Sequence, residues 1–174
     1  MGVRFLRVAL VGGVLFLLSC SDRAPLGPDA PVGSPEAGLF GWPPPAIGLV
    51  KCAPLPYDSV TQTIGPEGGT LVVGANTLWI PAGALDTAVT ITAVAPSDTL
   101  RHVHFEPEGL TFQQSAWLTL SYQGCNLLGS LAPKRVAYTT DVFEILEYLL
   151  SFDNLWSQKV TGRVQHFSDY VIAW

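Results

Sequence analysis

Near the end of the sequence, Gln165-His166-Phe167-Ser168-Asp169-Tyr170 places a hydroxyl, an imidazole and a peptide bond side by side. Those groups can support one reaction on the chain itself. Ser168 Oγ attacks the Phe167 carbonyl while His166 acts as base or polarises the scissile group. An ester forms, and water resolves it, if a strained turn raises the ground state. The opposing reading is an ordinary strand. No Gly, Pro or Asn falls between Phe167 and Ser168 to demand a turn. Strict alternation puts Val164, His166, Ser168, Tyr170 and Ile172 on one face, and Phe167 and Val171 on the other. The expectation is therefore an uncut chain, with 162–174 a straight terminal strand and self-cleavage at Phe167–Ser168 as the alternative.

Other reactive residues offer less. His102 and His104 are two apart and share a strand face, but no third ligand is evident, so a solvent-facing pair is expected and no metal. The glycine-rich turns neither precede a helix nor carry the lysine of a phosphate-binding loop. There is no Gly-x-Ser-x-Gly, no His-Glu-x-x-His and no convincing carboxylate pair. An enzyme acting on an external substrate is not expected, nor is a cofactor. Of three cysteines, Cys52 and Cys125 form an even pair, either bridged or left as two buried thiols. No Cys/His spacing resembles a zinc site.

The third cysteine sits in a different setting. Arg4 and Arg7 precede an uninterrupted run of apolar residues and glycines from Val8 to Leu18, which Ser19-Cys20 closes. The run is too short to span a bilayer, which takes about 20 residues, and reads as a secretory signal. Its Leu17-Leu18-Ser19-Cys20 ending resembles the lipobox, at which bacterial lipoproteins are cut before a cysteine that is then lipidated; Leu18 is bulkier than the residue usual there. The resemblance implies a signal peptide over 1–19, lipidation at Cys20, and a protein anchored to the bilayer in a bacterial cell envelope with its domain outside the cytoplasm. Several acyl chains on one cysteine anchor firmly, at roughly 0.8 kcal/mol per buried methylene. An oxidising compartment also suits a Cys52–Cys125 bridge.

Charge narrows the partners. The chain has 9 basic and 14 acidic residues. Loss of Arg4 and Arg7 with the signal leaves a net charge of -7. That sign disfavours nucleic acid and offers no basic patch for anionic lipid.

Residues 20–56 read as a lipidated cysteine followed by a Pro/Gly-rich tether. Prolines at 25, 28, 31, 35, 43, 44, 45, 54 and 56 exclude a helix or an inner strand, because proline lacks the amide donor and fixes its own φ. The tether is expected to be extended and mobile. Phe40 and Trp42 are unexpected in a pure spacer and could pin its end to the domain. From about Tyr57 the pattern changes to short alternating runs between turn residues. They are Val60–Ile64, Thr70–Val73, Thr77–Ile80, Val89–Ala95, Ala116–Tyr122, Arg135–Tyr138, Phe143–Tyr148, Leu155–Val160 and Gly162–Trp174. The stretch 142–150 also reads as a helix, but Asp153-Asn154 makes a natural hairpin turn, which favours strands. Residues 57–174 are thus expected to form an all-β, two-sheet antiparallel β-sandwich, with Trp79 or Ile80, Ile91, Leu118 and Leu120 in its core.

Three turn motifs recur in order: Gly68-Gly69 before a strand, Ile80-Pro81-Ala82-Gly83-Ala84-Leu85 ending one, and the corner Pro107-Glu108-Gly109-Leu110-Thr111-Phe112. Together they resemble the ZU-five domain, known from zonula occludens proteins and netrin receptors. The likeness is good over 60–122 and looser beyond. It implies a β-sandwich used for scaffolding or binding, with no cofactor and no substrate pocket. The His166-Phe167-Ser168 triplet also looks like the self-cleavage site of some ZU-five-containing death-domain proteins and of a nucleoporin. The function expected is an envelope lipoprotein that presents a β-sandwich to a protein or other envelope partner, its identity not written in the sequence.

Overall fold

The structure, a computed structural model, describes residues 48–125 and 132–174. The signal peptide, Cys20 and most of the tether lie outside the described residues, as do Phe40 and Trp42. Eleven strands follow one another without a helix among the described residues: β1 (Asp58–Ile64), β2 (Gly69–Val73), β3 (Asn76–Ile80), β4 (Val89–Ala95), β5 (His102–Glu106), β6 (Thr111–Ser121), β7 (Arg135–Thr139), β8 (Ile145–Tyr148), β9 (Ser151–Asn154), β10 (Lys159–His166) and β11 (Asp169–Ala173). They form two antiparallel sheets, ordered β1-β4-β5-β11-β7-β8 and β2-β3-β6-β10-β9. The protein is an all-β sandwich.

Alternation explains the packing. In β6, Ala116, Leu118 and Leu120 are fully buried while Trp117 and Thr119 face outward. In β4, Ile91 and Ala93 point inward. Ile80 is buried at 1% exposure, whereas Trp79 stands out at 49%, so the pleat of β3 decides between the two core candidates. One apolar core fills the space between the sheets. The sheets come close at Gly162 of β10, where a Cβ would lie 2.6 Å from Val136 Cβ of β7 in the facing sheet. Gly68 has φ 74°, and a Cβ there would meet the Ile80 carbonyl at 2.4 Å, so the first turn motif requires glycine.

Several expectations shift. The sandwich takes in residues upstream of 57: Leu49 pairs with Ala173, Lys51 with Leu100, and Val50 is fully buried with its amide on the Ile172 carbonyl at 3.0 Å. A free tether end would leave that apolar side chain in water. Asp153-Asn154 closes β9 and does not form the hairpin turn, which falls at 155–158; Leu155 to Gln158 therefore lie outside any strand. Finally, 162–174 is not one strand. It is the end of β10 in one sheet and all of β11 in the other.

Candidate functional site

Phe167 and Ser168 are the two residues by which the chain crosses between sheets, from β10 to β11. No local turn residue makes the bend, and tertiary packing supplies it. Phe167 is buried at 1% exposure. Its ring stacks on Phe105 at 5.2 Å between centroids and meets Phe112 edge-on at 5.0 Å. Such aromatic pairs contribute about 0.5–1.5 kcal/mol each beyond simple burial. The backbone is held as firmly. The Phe167 amide donates to the Leu110 carbonyl at 2.8 Å, and Gly109 N–H donates to the Phe167 carbonyl at 3.0 Å. The Phe105 amide donates to the Ser168 carbonyl at 3.3 Å. Across the bend, Tyr170 Oη donates to the His166 carbonyl at 2.5 Å. Burial, with the nearby Tyr138 and Glu147 adding to it, pushes the Tyr170 phenol above its usual range, which keeps that donor protonated.

His166 and Ser168 therefore do not share one face of a straight strand. His166 ends β10, its ring edge-on to Tyr138 at 4.9 Å. Its Nδ1 lies 3.5 Å from the Phe167 carbonyl oxygen, at the outer limit of hydrogen bonding. Ser168 is buried at 4% exposure within the bend. The Phe167 carbonyl thus has one firm backbone donor and an imidazole nitrogen at its periphery, on a peptide next to a buried hydroxyl. Chemically, this arrangement can polarise one carbonyl.

Cys52 and Cys125 form a disulfide, which settles the choice between bridge and free thiols. The bridge closes a loop over residues 53–124. Arg101 reinforces it: the buried guanidinium donates through Nη2 to the carbonyls of Ala53 at 2.8 Å and Gln123 at 3.3 Å, one from each segment beside the bridge. Burial lowers its pKa, with Asp98 opposing.

The two histidines of β5 are each engaged by a carboxylate. His102 Nε2 lies 2.6 Å from Asp98 and His104 Nδ1 lies 3.1 Å from Asp169. His102 is not solvent-facing as expected; its side chain is 9% exposed, with the Phe143 ring edge-on at 4.8 Å. Among the described residues, no group of three His, Cys, Asp or Glu could hold a metal ion.

A feature the strand pattern concealed is Leu155-Trp156. Placed in the β9–β10 turn, these side chains are 65% and 100% exposed. Asn154-Leu155-Trp156 reads as polar–apolar–aromatic alternation, so only a signal for the turn one step later would have exposed them. Compared with known families and with curated proteins, the chain matches no family model and no curated protein.

Proposed function

We propose that the protein is a lipoprotein of the bacterial envelope, anchored through Cys20, that presents a ZU-five-like β-sandwich as a binding or structural surface without external catalysis. The observation that carries this reading is the Cys52–Cys125 bridge, which leaves Cys20 as the one remaining cysteine of three. A disulfide suits an exported chain, and the third cysteine of the sequence stands where the Leu-x-Ser-Cys pattern expects lipid. The bridge also ties the start of the sandwich to the middle of the chain, so a pull on the anchor is borne by a covalent link. The partner is a protein or another envelope component, and the acidic net charge disfavours nucleic acid.

One observation favours a second reading, in which the protein cleaves itself. The Phe167–Ser168 bond lies in a bend that packing holds, with its carbonyl on Gly109 N–H. In that reading Ser168 Oγ adds to the Phe167 carbonyl, the amide nitrogen leaves as the free amine of Ser168, and water hydrolyses the ester to give the Phe167 carboxylate and regenerate the hydroxyl.

Intact mass of the protein made in a bacterial host from its own first residue tests both. The first reading expects one chain starting at Cys20 with acyl groups attached, and a Cys20→Ser variant that keeps residues 1–19. A wild-type chain without lipid overturns the anchor. A separate Ser168–Trp174 peptide, absent in Ser168→Ala, establishes the second reading.

A further inference from the structure

The end of the sandwich where β10 begins and β11 finishes differs from the opposite end in three independent respects. The first is an exposed tryptophan and tyrosine; the opposite end exposes an aliphatic side chain, Val142, in the β7–β8 connection. Asn154 Oδ1 accepts the amides of Trp156 and Ser157, both at 3.1 Å, and this turn holds Trp156 fully in solvent beside Leu155. Tyr57, 62% exposed, precedes β1 at the same end. A tryptophan with no contact in the fold pays the hydration cost of its ring for nothing inside the domain, and such patches mark contact sites.

The second respect is charge. The opposite end exposes Glu67, Asp86, Glu106, Glu108, Asp141 and Glu144, and among the described residues it has no lysine or arginine. Although the chain as a whole is acidic, Lys51 and Arg135 are exposed and Lys159 is half-buried at the Trp156 end, while exposed Arg163 lies partway along β10, opposite Trp117. Acids at both ends have internal partners: at the opposite end Glu67 accepts from the Gly65 amide, Asp86 accepts from Gln113 and Glu106 lies 3.7 Å from His104. At the Trp156 end Asp58 accepts from the Gly74 amide, Asp98 binds His102, and Asp153 accepts from Tyr122 Oη and the Lys134 amide.

The third respect is the path of the chain. The Trp174 amide donates to the Gly48 carbonyl, and Leu49 pairs with Ala173, so the upstream chain joins the sandwich at this same end. Residues 21–47 separate Gly48 from Cys20, a span of at most roughly 100 Å.

We propose that this end of the sandwich docks on an anionic lipid bilayer, with Trp156 and Leu155 at headgroup level and Lys51, Arg135 and Lys159 toward the lipid phosphates; the inference rests on Cys20 being a membrane anchor. Tryptophan favours the membrane–water interface, and basic side chains are drawn to anionic lipid. The acidic end is repelled by the same surface, so charge and apolar tip select one orientation. Tethering through Cys20 raises the local concentration of the domain at the bilayer, so a contact that is weak in free solution is occupied on the membrane.

The test uses residues 20–174 carrying Cys20→Ser, which retain the tether and every described residue but bear no acyl group. Vesicles of phosphatidylcholine with phosphatidylglycerol are the probe. The chain is expected to sediment with them, to be released by salt, and to bind at least about tenfold more weakly when Leu155→Ser and Trp156→Ser are introduced together. Vesicles containing brominated phosphatidylcholine are expected to quench emission that Trp156→Phe removes. Both substitutions lie in an exposed turn, and an unchanged circular-dichroism spectrum verifies the fold. No binding by the parent chain, or binding undiminished in the double variant, overturns the proposal. Because no acyl group takes part, that failure is distinct from failure of the anchor reading, which intact mass reports.

Discussion

Gly162→Ala adds one methyl group where β10 faces β7 of the other sheet at close range. The new Cβ would sit 2.6 Å from Val136 Cβ and 2.7 Å from its Cγ2, against an optimal carbon–carbon separation of about 3.5–4.0 Å. Val136 cannot easily retreat. Its amide donates to Ser151 Oγ at 3.0 Å, its carbonyl accepts from the Leu149 amide at 2.9 Å, and its strand pairs with Ile172. Overpacking of this kind costs about 1–3 kcal/mol. Replacing a strand glycine returns roughly 0.5–1 kcal/mol of chain entropy. The expected net loss is about 1–2 kcal/mol, or a fall in Tm of roughly 4–8 °C. Val136→Ala alone empties part of a fully buried site and costs about 2 kcal/mol. Combined, alanine removes the two Cγ atoms but keeps the Cβ 2.6 Å away, so the double variant recovers only part of the overpacking cost. Urea unfolding of the four proteins, with the disulfide intact, measures this coupling. A Gly162→Ala variant as stable as the parent refutes the close approach as the reason for glycine.

Two further outcomes follow from the described geometry. Reducing Cys52–Cys125, or replacing both residues with alanine, is expected to lower stability by roughly 4 kcal/mol through the loop over 53–124, measured as the shift in urea midpoint with and without reductant. Tyr122 and Tyr170 both have pKa values raised in the folded state: burial leads in each case, followed by the hydrogen bond to Asp153 for Tyr122 and by Tyr138 and Glu147 for Tyr170. Their contribution to stability is complete below the unfolded tyrosine pKa of about 10 and is lost as pH rises above it. Phenolate absorbance and near-ultraviolet dichroism should therefore change together in that range, and ionisation of both phenols without loss of tertiary signal would contradict their burial.

The sequence pattern conveyed the class of fold because alternation is local. Val89–Ala95 and Ala116–Tyr122 announce both strand and inward face, and β4 and β6 follow them closely. What escaped is set by distant contacts. Trp79 and Ile80 are both apolar, and only the register of Trp79 on Trp117 places the tryptophan outside. Val50, among prolines, becomes core because β11 offers its amide a partner. The bend at Phe167–Ser168 has no turn residue, since Phe105, Phe112 and Gly109, far upstream, impose it. His166, Phe167 and Ser168 were readable as a chemical triplet, but the support around their carbonyl was not.

The position of β11 has a consequence for the order of assembly. This strand lies between β5 and β7. Until residues 169–173 have been synthesised, the larger sheet exists only as two ribbons, β1-β4-β5 and β7-β8, with the facing edges of β5 and β7 unpaired. Pairing between segments so far apart in the chain is slow to form, and unpaired edges invite association with other chains. The segment before Cys52 waits as well, because Val50 rests its amide on Ile172. A nascent chain of this protein therefore cannot close the larger sheet before residues 169–173 have emerged, and until then its two ribbons stand apart.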